Sequence, residues 1–165
     1  VAVSESVFSR EYDLPVSIVW DAMVDDVLVE GWLAVAVIEP CRGGEYWLNW
    51  QSGTRLAPTN GIITTFEPPA EGKPARLAIK TDNLGTLDFT LVPLDGGTRG
   101  SSTRLELVLR AEIDRQFLAG IRADWQSNFD QLEELLRGHP VDWSTWERDR
   151  GEAWTRYLAA ASRGQ

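Results

Sequence analysis

The residues able to carry chemistry in this chain are few. Its 165 residues include one histidine, His139, and one cysteine, Cys41. A zinc site or a thiol-based catalyst needs several such side chains held together, commonly as CxxC or HExxH, and neither pattern occurs. No metal is therefore expected. His139 sits between Gly138 and Pro140, where a helix ends, and an exposed or capping role is expected. Cys41 follows Pro40 and is read as a strand-end filler rather than a nucleophile. Gly43-Gly44 and Gly96-Gly97 lack the spacing of a phosphate-binding loop and precede no helix, so they read as turns and no cofactor is expected. GxSxG is absent, which removes serine hydrolases of the usual α/β design. Asp25-Asp26 and Glu133-Glu134 are adjacent pairs, splayed about 100° apart on a helix and suited to solvation rather than to convergence across a cleft.

The remaining polar candidates lie in segments with the alternation of β-strands. Asp88, Arg104 and Glu106 fall opposite the leucine-rich faces of their strands and are assigned to solvent, with Thr90 on the same side as Asp88. Tyr46 shares a face with Leu48 and Trp50. It is read either as a packed core residue or as the hydroxyl of an otherwise apolar pocket.

The elements that must position these residues follow from periodicity. A strand is expected over residues 5–12, then a helix starting at Pro15 with Ile18, Val19, Ala22 and Met23 on one face. A second short helix from Asp25 carries Val27, Leu28 and Trp32. Strands are expected over 33–39, over 45–50, over 61–67 after Asn60-Gly61, and around Leu77 and Ile79. Two further strands are clearest: Leu87, Phe89 and Leu91, then Leu105, Leu107 and Leu109, alternate with polar residues across the DGGTRG turn.

At Asp114 the period changes to about 3.6. Phe117, Ile121, Trp125, Phe129, Leu132 and Leu136 recur on one face of a helix running from Asp114 to Arg137, about 35 Å long, while Arg122, Gln126, Gln131, Glu134 and Arg137 are assigned to a solvated face. Alone in water such a helix is marginal, so its apolar stripe must be covered by the sheet. Where that contact leaves space, the walls are expected to come from Tyr46, Trp50, Phe89, Leu107, Phe117, Ile121, Trp125 and Phe129. The alternative is a filled core.

The chain reads as a domain over 1–139 followed by a tryptophan-rich, helical extension over 140–165. Trp143, Trp146 and Trp154 are three of the eight tryptophans, too much apolar surface for an idle linker. Ser144 and Glu147 have the spacing of a capping box. The extension is expected to pack on its own sheet or on a partner.

Composition limits the partners. A formal charge of −9 opposes nucleic acid and anionic lipid. No apolar run is long enough to span a membrane, and VAVSESVFSREYDLP has neither the basic start nor the apolar core of a signal peptide. With a lone cysteine, the expected setting is cytoplasmic.

The order of elements and several short segments resemble a known superfamily. The segments are PVSIVWDAM at 15–23, Trp32, GGEYWL at 43–48, GIITTFEPPA from Gly61, ARLAIK at 75–80, TRLELVL at 103–109 and WQSNFDQLEELLRG at 125–138. Together they resemble the helix-grip (START-like, SRPBCC) superfamily of START lipid-transfer domains, birch-pollen-allergen-like proteins and polyketide cyclases. Within it they most resemble the branch named after the activator of the heat-shock protein 90 ATPase. The resemblance implies an α+β helix-grip fold: a seven-stranded curved antiparallel sheet wrapped around a long C-terminal helix, with two short helices after the first strand. It also implies an apolar cavity between sheet and helix. Three functions stay open: non-enzymatic binding of a small hydrophobic ligand, lipid or aromatic; a cyclase or hydratase acting on an apolar substrate; and a co-chaperone-like module or homodimer formed through the outer sheet face and the extension. Fold alone does not transfer chaperone activation.

Overall fold

The structure, a computed structural model, describes residues 2–53 and 57–163. Strand β1 (Ala2–Tyr12) leads into helices α1 (Val16–Val24) and α2 (Asp26–Glu30). Strands β2 (Val35–Ile38), β3 (Glu45–Asn49), β4 (Thr59–Glu67), β5 (Ala75–Thr81), β6 (Thr86–Asp95) and β7 (Ser101–Ile113) follow. The chain continues as α3 (Arg115–Leu136), a short 3-10 turn over Trp143–Thr145, and α4 (Trp146–Arg163). The seven strands form one antiparallel sheet in the order β1-β7-β6-β5-β4-β3-β2. A register shift between Ile63 and Thr65 bends β4 and helps the sheet curve around α3.

Alternation sets the inner face. Leu87 pairs with Leu109, Phe89 with Leu107 and Leu91 with Leu105, and Phe8 of β1 meets Leu107 from the other side. All of them are buried. The outer face carries ion pairs, Arg104–Glu106 and Arg110–Glu5 at 2.9 and 2.8 Å, with Asp88 beside Arg76, as alternation predicts. Trp47 also faces outward, half-buried beside Val37 of the neighbouring strand.

Asp25 punctuates the first two helices. Its N–H closes α1 on Asp21 and its carboxylate accepts from Val27 N–H and Leu28 N–H to open α2. Of the apolar positions expected there, Val19, Ala22, Met23 and Trp32 are buried, whereas Ile18 and Val27 face out. Strand β2 is shorter than the 33–39 run suggests. Leu33 N–H and Ala34 N–H both bond back to Val29 C=O, so the turn after α2 consumes these residues before pairing begins.

Helix α3 matches the expected span, with Asp114 capping its first turn. At its end Gly138 adopts a φ of 90°, letting Gly138 N–H reach Leu135 C=O and His139 N–H reach Glu134 C=O, the two bonds that close a helix around a left-handed glycine. Two expectations about its faces fail. Phe117 is 59% exposed rather than under the sheet, because it belongs to the helix's first turn, before the buried stripe begins at Ile121. Gln131 is fully buried rather than solvated, because α4 lies over the side of α3 that sequence patterning gives to water.

The extension packs on its own chain. Contacts move from Gln131 to Asp124 as the chain passes from Trp146 to Trp154, so α4 runs back along α3. Asp142, not Ser144, caps the start: its carboxylate accepts from Ser144 N–H and Oγ–H, and no capping box forms between Ser144 and Glu147. Positions 164 and 165 lie outside the described residues. No helix among the described residues is long and apolar enough to cross a membrane.

Candidate functional site

Most of the space between sheet and α3 is filled. Phe129 stacks at a tilt against Phe8 and Trp125, with ring centroids 5.8 Å apart in both cases, and Phe89 meets the Trp125 edge at 6.0 Å. Such ring contacts leave no room for a ligand among them. Leu107 and Tyr46 are equally enclosed. The Tyr46 hydroxyl donates to Met23 C=O at 2.7 Å, and burial pushes this phenol above its ordinary range. It therefore locks α1 to β3 and faces no cavity.

Recesses remain at both ends of the interface: a groove lined by Glu11, Asp13, Glu133 and Arg137 between β1 and the end of α3, and an aromatic one at the opposite end. There a cleft of about 410 Å³, counted out to its mouth, opens between the end of β3, the β5–β6 turn, the middle of α3 and the extension. Three of the residues expected from sequence line it: Trp50, Ile121 and Trp125. Phe89, Leu107, Phe129 and Tyr46 stand in the packed core and Phe117 lies outside.

The sheet side is held rigidly. Trp50 Nε1 donates to Thr59 Oγ1 at 2.8 Å, Thr59 Oγ1 donates to Asn83 Oδ1 at 2.7 Å, and Asn83 Nδ2 donates to the carbonyls of Ala57 and Pro58. This relay fixes Trp50 edge-on to Trp125, with centroids 6.3 Å apart and planes at 82°. Gly53, at a φ of 69°, passes so close to Asp124 that any side chain there would run into the carboxylate.

The other wall belongs to α4. Trp146 Nε1 donates to Gln131 Oε1 at 2.8 Å, and Gln131 Nε2 in turn donates to Trp32 C=O at 2.7 Å. Trp154 Nε1 donates to Asp124 Oδ1 at 2.7 Å. Below the cleft, Tyr157 donates to Asp130, which is also paired with Arg10 of β1 at 2.7 Å. Burial disfavours the Arg10 charge, but the bonded Asp130 carboxylate outweighs it and the guanidinium is held more firmly protonated. Extension, helix and sheet edge are thus tied by one polar network.

Two polar groups of the cleft have no protein partner among the described residues. Ser127 Oγ and Asn128 Nδ2 are unpaired although each residue is only 5% exposed. Sequence reading assigned neither of them, nor Asp124. Their signal is a polar row at 124, 127, 128 and 131, spaced three and four apart, ahead of a tail rich in indole donors.

Among the described lining residues Asp124 is the only ionisable one. No group of three or more metal-binding side chains occurs among the described residues. His139 is exposed beside Glu134 at the end of α3. Cys41 is exposed in the β2–β3 turn, its thiol turned toward Glu39, so it fills no strand end. The site is one of shape and hydrogen bonding.

None of the curated proteins compared with the chain matches it. Among solved structures, the chain is similar to protein MLL2253 from Mesorhizobium loti, with a TM-score of 0.60 at 21% identity, covering 84% of this chain and 100% of that one. Protein NE0264 from Nitrosomonas europaea gives a TM-score of 0.61 at 19% identity, with 81% and 94% covered. CalU16 from Micromonospora echinospora gives 0.57 at 23% identity, with 95% and 96% covered. These likenesses show the fold. The CalU16 match covers so much of this chain that it extends past α3 into the extension. The family model described as activator of Hsp90 ATPase homolog 1-like protein matches residues 13–137, from the end of β1 to the cap of α3, and the chain belongs to that family.

Proposed function

We propose that this protein binds a small hydrophobic ligand in the cleft between Trp50, Ile121, Trp125, Trp146 and Trp154. The observation that carries this reading is the lining: four tryptophans, Ile121 and Leu84 surround this cleft, whereas the groove at the other end of α3 is lined by Glu11, Asp13, Glu133 and Arg137. Four indoles around one space provide flat apolar walls, the usual make-up of a small-molecule site. They favour a ring-bearing ligand over a flexible chain.

As folded, the space open to the centre of a water molecule is about 20 Å³, room for one or two waters. A ligand therefore requires Trp146 and Trp154 to shift outward while remaining its outer wall. In this reading residues 1–139 form the ligand-holding domain and the 140–165 extension is its lid. Lid motion is favoured by composition, since Trp146 is the one buried residue that α4 contributes.

Native mass spectrometry of protein purified without detergent or organic solvent tests the reading. A one-to-one adduct with a small apolar molecule is expected, or uptake of one added indane. Bare protein that also takes up no indane contradicts it.

A further inference from the structure

From the two unpaired groups in the cleft we infer the ligand's chemical class: a compact aromatic molecule bearing a hydrogen-bond acceptor oxygen, received by Asn128 Nδ2 and Ser127 Oγ. This rests on the cleft being the binding site and specifies what it selects. Both residues line the cleft, both are 5% exposed, and neither Oγ nor Nδ2 meets a partner among the described residues. Burying such groups unpaired is unfavourable, and folded proteins pair most of them. Elsewhere on this side of α3 that rule is obeyed: Asp124, Asp130 and Gln131 each accept from an indole or phenol of α4. The two exceptions fall where the cleft lies.

Their chemistry sets the complement. An amide Nδ2 only donates, and a serine hydroxyl donates as readily as it accepts. Lining one cleft beside indole walls, they suit a ketone, lactone or phenolic oxygen attached to a ring that stacks against Trp125 or Trp50. A pure hydrocarbon would fit the walls and leave both donors unpaired. Discrimination is then set by the hydrogen bond that the oxygen adds, since the donors are unpaired before the ligand arrives.

The test compares 1-indanone with indane, which share a fused ring frame and differ by one carbonyl oxygen, using calorimetric titration of the full chain. Binding of indanone about tenfold tighter than indane is expected, the effect of one hydrogen bond in a buried site. Ser127→Ala and Asn128→Ala should each shrink that ratio, with thermal unfolding followed in parallel to establish that each variant folds. A crystal of the indanone complex should place the carbonyl oxygen within hydrogen-bond reach of Asn128 Nδ2. Equal affinities for the two probes, or a ratio that survives both substitutions, would overturn the inference while leaving the cleft as a hydrophobic site. So would a crystal in which a water holds both groups with either probe bound. Failure of both probes to bind removes the cleft reading itself.

Discussion

Trp146 and Gln131 join the extension to the domain through a bond that neither residue makes alone. The indole N–H donates to Gln131 Oε1, and Gln131, wholly buried, passes its own N–H to the Trp32 carbonyl at the end of α2. One amide therefore satisfies an acceptor on one side and a donor on the other. Gln131→Leu keeps the volume and strands both partners in a dry site. The expected loss is about 2–4 kcal/mol in denaturant unfolding, since each unpaired buried group costs about 1–3 kcal/mol. A loss below the error of the measurement would mean that water reaches this contact.

Two phenylalanines of the apparent α3 stripe should behave differently. Phe129→Ala removes a ring packed against Phe8 and Trp125 and should destabilise by about 3–5 kcal/mol. Phe117→Ala, on a residue 59% exposed, should change stability by about 0.5 kcal/mol or less. Equal large losses from the two would place Phe117 under the sheet after all.

That contrast shows where sequence reading succeeds and where it stops. Leucines alternating with charges in β6 and β7 leave one register that buries them, and Asp114, Gly138 and Pro140 fix the ends of α3 by local chemistry, so both are legible from the chain alone. Periodicity reports that a face is apolar without saying how far along the helix the cover extends, and Phe117 looks the same as Ile121. It also reads polar residues as wet. Gln131 is dry because a helix further along the chain lies on it, a tertiary fact that a 3.6 period does not encode. Within the candidate site, Trp50, Ile121 and Trp125 were accessible as aromatic or aliphatic wall residues; Ser127 and Asn128 were not, since their interest lies in lacking partners.

Removing an unpaired hydroxyl should help the empty protein. Ser127→Ala deletes a buried oxygen that makes no bond and is expected to raise stability by about 1 kcal/mol, measured as a shift of the urea midpoint at constant slope. A loss of similar size would show that the hydroxyl is satisfied in solution.

All three tyrosines, Tyr12, Tyr46 and Tyr157, have phenols pushed above the ordinary value, each chiefly by burial. A phenol that keeps its proton to higher pH when folded gives that proton up first in the unfolded chain. This part of the stability is therefore complete below about pH 10 and disappears as pH rises through the higher folded values. Tyr12 and Tyr46 donate to the carbonyls of Phe129 and Met23, so their ionisation requires the core to open. The Tyr12 and Tyr46 share of the tyrosinate absorbance should rise together with loss of near-ultraviolet circular dichroism, in one cooperative step above pH 10. Smooth titration near pH 10 with the fold intact would contradict the buried placement.

The eight tryptophans supply the most direct test of the cleft. Trp50, Trp125, Trp146 and Trp154 line it, while Trp20, Trp32, Trp47 and Trp143 do not. Each carries an indole N–H visible by nuclear magnetic resonance in isotope-labelled protein. Titration with 1-indanone should move the four lining signals along saturating curves with one common dissociation constant, and Trp154 should move furthest as the lid shifts outward from Asp124. Unchanged lining signals, or equal drift of all eight, would contradict a ligand site at the end of α3.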